Sequence, residues 1–203
     1  MVDYLTSRER IGLTLVGLAV IVVALTLLAP YDATLKGISP VVYLHGAVVW
    51  TAILAFSAAG LVGLAGLVGQ RDVLHAWSGA LARTGLLFWV VYLPLGMWAS
   101  KASWNAIPLD DPRFRVAFQV LVLAVGFQIA AALWGNKSRW ESGLNVVLMV
   151  IMWMLMLTTQ DVMHPQSPMR MSALTIQFFF ASLVGACGLA ALQVARWMRR
   201  PTE

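Results

Sequence analysis

Charge is what this chain has least of. Only 11% of its 203 residues are Asp, Glu, Lys or Arg, while 60% are hydrophobic and the mean hydropathy is +0.80. A soluble domain carries about a quarter charged residues, so an ordinary water-soluble fold is excluded. There is one cysteine, Cys187, which rules out an intrachain disulfide, a CxxC redox pair and a thiolate cluster. Lying within an apolar run, it reads as a small packing residue between helices. There is no nucleotide-binding loop, no HExxH zinc motif and no catalytic triad. No row of carboxylates lies inside the apolar runs, so the usual equipment of a proton-coupled transporter is missing. No loop is long enough to hold a soluble catalytic domain. Nothing here equips the chain as a self-contained enzyme or as a pump driven by its own energy source.

What the chain has instead is six stretches without a charge: residues 11–31, 37–70, 84–100, 116–136, 142–160 and 171–195. A helix needs roughly 20 apolar residues to cross the hydrocarbon core. The expected fold class is all-α: a polytopic integral membrane protein, with six transmembrane helices in one bundle and a single membrane domain over 1–203. The helices are expected at about 11–29, 41–68, 81–97, 114–133, 143–157 and 172–194. The first apolar run is too long for a signal-peptide core and no clean cleavage site follows it, so it reads as a retained helix. Gly60, Gly63, Gly66 and Gly69 thin one side of the second helix, which favours close approach of a neighbour in lipid. Pro94 is expected to kink the third. Six crossings put both termini on one side, with nine of the fourteen Lys and Arg residues. The positive-inside rule makes that side the cytoplasm. The net charge of +5 thus reflects topology and membrane lipid, not nucleic acid.

Few residues in this background can carry chemistry. His45 lies just inside the outer end of the second helix, where an ionisable side chain is costly unless paired, ligated or functional. A neutral imidazole bonded to a nearby carbonyl is the plain alternative. His164 lies in the last outer loop, on the same side. Neutral imidazole is the commonest side-chain metal ligand, and two could hold a haem iron axially. His75, in the inner segment 70–78, reads as a surface histidine at headgroup level. Trp98 and Trp104 fit an interfacial aromatic belt and equally a platform under a flat ring. Asp110, Asp111, Arg113 and Arg115 fit a helix start with acidic residues in its first turn. The arginines fit equally as bidentate partners of a ligand's carboxylates. Met149, Met152, Met154 and Met156 on the fifth helix read as flexible packing rather than soft ligands.

The order of these parts resembles the CcmC branch of the haem-handling family that also contains CcsA, the cytochrome c maturation proteins. Tyr43-Leu44-His45, with Trp50 five residues on, is similar to the family's first histidine segment. Gly96-Met97-Trp98 through Arg113 occupies the place of its Trp-rich outer loop, and Val162-Met163-His164-Pro165-Gln166 is similar to the second histidine segment. The loop departs from the pattern: no glycine follows Trp98, and Asp110-Asp111 stands where Trp-Asp is usual. The resemblance covers the second to the sixth helix. It implies a protein of the cytoplasmic (inner) membrane that holds non-covalent haem b on the periplasmic or extracellular side and hands it to a haem chaperone. His45 and His164 would be the axial ligands. Trp98 and Trp104 would form the platform, with Asp111, Arg113 and Arg115 near the propionates. The implied partners are that chaperone and the subunits of an ABC-type transporter. Two other classes stand beside it: a haem-b membrane anchor for quinone-linked electron transfer, and a cofactor-free structural subunit of a membrane complex.

Overall fold

A computed structural model of the chain describes residues 2–31, 35, 37–107, 109–134, 138–159 and 173–199, with side-chain surroundings from residue 9 onward. Six helices follow one another: α1 Val2–Leu27, α2 Ser39–Gly69, α3 Asp72–Trp104, α4 Pro112–Leu133, α5 Ser138–Thr158 and α6 Leu174–Met198. No strand occurs among the described residues. Every helix holds a stretch long and apolar enough to cross a membrane. The chain is an all-helical, multi-pass membrane bundle, as its composition required. A helix satisfies its own backbone hydrogen bonds, which lipid cannot do.

The helices do not stop where the charges begin. α3 runs for 33 residues, far beyond the expected 81–97, because polar side chains do not end a helix; a cap does. At its inner end Asp72 lies in the first turn, where a carboxylate suits the helix dipole. At its outer end no Gly or Pro interrupts the stretch after Trp98, and the helix continues until Asn105 turns left-handed at φ 54°. Asparagine tolerates that conformation, and its N–H bonds the Lys101 carbonyl. Pro94 sits within α3 without ending it. α5 likewise starts earlier than expected, so Glu141 is a helical residue and not part of an inner loop.

α2 and α3 form an antiparallel hairpin at the centre. α5 packs on both, α4 on α5 and α3, and α6 on α1, α2 and α3. α1 is peripheral, with nothing in its apolar window buried. The hairpin seam keeps one register throughout: Gly66 lies against His75, Gly63 against Ser78, Gly85 against Phe56 and Gly96 against His45. These contacts step along each helix by one, two and three whole turns, so they form one stripe. A Cβ on any of these glycines would lie 2.8–3.0 Å from an atom of the facing residue. Around the seam, Phe56, Trp89, Val120, Leu148 and Met152 form one buried cluster. Tyr43, Phe180, Leu183 and Cys187 form another, so Cys187 packs between helices as its setting suggested. Met152 is fully buried while Met154 is exposed, the mixture expected of packing methionines.

Candidate functional site

The seam carries the same arrangement twice. His45 of α2 rests on Gly96 of α3, and His75 of α3 rests on Gly66 of α2. The same interval separates His45 from Gly66 and His75 from Gly96, about 31 Å of helix. That is close to the thickness of the hydrocarbon core, about 30 Å. One histidine therefore marks each end of the seam, and the ends differ in what covers them.

The inner end, on the side of both termini, is closed. His75 is 1% exposed, which corrects its expected place at the headgroup surface. The helical start of α3 turns it inward, onto the gap left by Gly66. Its Nδ1 lies 2.8 Å from Ser142 Oγ of α5. Asn145 Nδ2 donates to Ser78 Oγ at 3.0 Å, and Ser78 donates to the Ala59 carbonyl at 2.8 Å. His75 Nε2 is buried and finds no hydrogen-bond partner among the described residues. Deeper along α3, Arg83 Nη1 donates to Glu141 Oε1 at 2.6 Å. Its Nη2 points at the Met198 carbonyl at 3.5 Å, among the last carbonyls of α6 that have no helical donor. Gly79 makes room for the carboxylate: a Cβ there would lie 2.5 Å from Glu141 Oε1. Sequence reasoning missed this centre because Glu141 reads as an inner-loop charge and Arg83 as one of the basic residues that mark the side of the termini. The signal was there in Glu141, Ser142 and Asn145, which share one face of α5 at i, i+1 and i+4.

The outer end is less enclosed by the helices. Trp153 Nε1 of α5 donates to Ser57 Oγ of α2 at 2.9 Å. Counting along both helices from that bond, α5 ends about 10 Å short of the level of His45. His45 is half-buried. Its ring lies over Gly96, with a Cβ there only 2.8 Å from His45 Cε1. Tyr92, one turn earlier on α3, packs against it at a tilt, with ring centroids 5.0 Å apart and planes 30° apart. Asp111 is 1% exposed and caps α4, accepting from the Arg113 backbone N–H at 2.7 Å. Pro112 follows in the first turn, where its missing N–H costs nothing. The start of α4 thus carries Asp111 and Arg113, and α4 is tied to α3 by the hydrogen bond from Trp89 Nε1 to the Ala117 carbonyl.

Of the expected site residues, His45 lies against Tyr92, while Asp111 and Arg113 stand at the start of α4. Trp104 is exposed at the last turn of α3, about 80° around the helix from Gly96. Trp98 is 59% exposed and is rotated about 200° from Gly96, away from the seam. Arg115 pairs with Asp110 at 3.1 Å, both exposed. His164 lies outside the described residues. No group of three metal-ligating side chains occurs among the described residues. Tyr92 was not singled out from the sequence, and Gly96 only as the start of the loop segment, since each sits in an apolar run and only the facing helix gives it a role. No protein-family model matches the chain, and no curated protein is significantly similar to it.

Proposed function

We propose that this protein binds haem at the outer end of the α2–α3 seam and hands it on for cytochrome c maturation. The observation that carries the proposal is His45: a half-buried imidazole on Gly96, at the end of the seam that α5 does not reach. The donor set there suits haem: an imidazole for the iron, and Arg113 with Arg115 as exposed cations for carboxylates. Haem bound there would be held through its iron by His45 and would supply an iron centre. His164 is the proposed second ligand, and Trp104 the indole best placed at the rim. Asp111 acts through structure, capping the start of α4 that carries Arg113. The termini side is proposed as cytoplasmic, the haem side as periplasmic or extracellular. The proposed recipient is a haem chaperone, and the proposed energy source an ABC-type transporter.

A buried bis-histidine anchor for electron transfer receives less support. His45 and His75 stand about 31 Å apart along the seam, too far to share one iron. A cofactor-free structural subunit draws its support from Trp98, which is turned away from the seam. A reduced-minus-oxidised spectrum with a pyridine haemochrome assay on the detergent-purified protein separates a haem protein from a cofactor-free subunit, and reduction of that haem by a quinol would favour the anchor. The proposal expects stoichiometric b-type haem, reduced by His45→Ala and by His164→Ala. An apoprotein that stays colourless when haem is supplied during expression would overturn it and leave the structural subunit.

A further inference from the structure

Nothing in the covalent chemistry of a histidine fixes the plane of its ring. The χ2 torsion of imidazole is broad and roughly two-fold, and His45 is only half-buried. Two residues of α3 restrict it. Gly96 provides a floor of bare backbone, too close to His45 Cε1 for any side chain. Tyr92, four residues earlier and so on the same face of the helix, lays its ring against the imidazole. Tyr92 is itself held. Trp89, three residues earlier still, meets it edge-on with centroids 5.3 Å apart and planes at 64°. Trp89 is buried, and its Nε1 donates to the Ala117 carbonyl of α4 at 2.9 Å. A chain of contacts thus runs from α4 through Trp89 and Tyr92 to the ring of His45. The Tyr92 hydroxyl makes no hydrogen bond among the described residues, so its ring and not its phenol oxygen makes the contact.

We propose that Tyr92, backed by Trp89, is the positioning residue of the outer site: it sets the plane in which His45 presents its imidazole. The proposal deepens the ligand-binding reading of that end and rests on it for its purpose. A ring oriented in advance binds without losing rotamer freedom on binding. The orientation itself is a property of the protein without ligand, so it is tested there first.

Histidine-selective 13C labelling in detergent or nanodiscs gives ring signals for the three histidines, and His45→Ala identifies that of His45. The ring contact predicts a ring-current shift on His45. Tyr92→Phe should keep that shift and Tyr92→Leu should abolish it. Gly96→Ala should move the His45 signals while leaving those of His75 in place. In haem-supplied protein, Tyr92→Leu and Gly96→Ala should lower haem occupancy and change the low-spin EPR g-values, and Tyr92→Phe should restore both. An unshifted His45 signal in the wild type, or a Tyr92→Leu protein matching wild type in both measurements, would overturn the proposal. So would a Tyr92→Phe protein that behaves like Tyr92→Leu. Should Tyr92→Leu fail to fold, Gly96→Ala and Tyr92→Phe still decide the matter. A wild type that takes up no haem but shows the expected ring shifts would defeat the haem reading alone, with Tyr92 still orienting His45.

Discussion

At the scale of single residues, burial separates two histidines that look alike in sequence. Both rest on a glycine of the opposite helix. Yet His75 is sealed beneath α5 with Ser142 as its partner, while His45 sits where α5 has ended. The inner centre is therefore read as a tie between helices, and its ion pair makes that testable. Glu141→Ala strands the Arg83 guanidinium in a largely apolar setting. Loss of one partner of a buried pair costs several kcal/mol; because the Arg83 side chain is 26% exposed, the expected loss is about 2 kcal/mol. Replacing both residues by Met should cost less than Glu141→Ala alone, since no charge is then left unpaired. Reversible SDS unfolding measures both. A double variant weaker than the single one would show that the pair does more than neutralise itself.

At the scale of elements, glycine decides how closely helices approach, and position decides which glycines matter. Gly63 of α2 faces Ser78 Oγ at 2.8 Å and the Ser142 carbonyl at 3.0 Å from where a Cβ would stand. Backbone cannot swing aside, so Gly63→Ala should separate α2 from α5 and destabilise the bundle by about 1–3 kcal/mol, the usual cost of overpacking. Gly185 of α6 has nothing within 4 Å of its Cβ position. There Gly185→Ala should be neutral or stabilising by roughly 0.5–1 kcal/mol, the ordinary gain of alanine over glycine inside a helix. Unfolding midpoints of the two variants should move in opposite directions or differ by the full overpacking term. Equal effects would mean that the seam contact is softer than its geometry.

At the scale of the whole molecule, six crossings fix the sidedness of every loop. Cys187 is the only native thiol and is buried, so Cys187→Ala gives a cysteine-free background for mapping. Asn105→Cys, at the end of α3, and Arg199→Cys, just past α6, should then react with an impermeant maleimide from opposite faces. In intact spheroplasts Asn105→Cys is expected to label directly and Arg199→Cys only after permeabilisation. Labelling of both from one face would break the six-span topology. Labelling of Arg199→Cys alone would invert the orientation given by the basic residues.

Charge-free runs of sufficient length determined, without any structure, that the chain is helical, that it spans a membrane and that six helices do so. The reason is local: lipid leaves a single chain segment no way to satisfy its backbone except as a helix. The expected setting of Asp111 at a helix start, and of Cys187 in packing, follows from equally local rules. Helix ends were less legible, because α3 continues through polar residues until Asn105 offers a cap. What tertiary structure alone decided is which helices face each other and in what register. Register buries His75 and Glu141 with Arg83 half-buried beside them, turns Trp98 away from the seam, and sets Tyr92 and Gly96 against His45. A one-dimensional pattern records polarity and spacing; contact between residues about fifty apart depends on the angle and depth at which two helices meet.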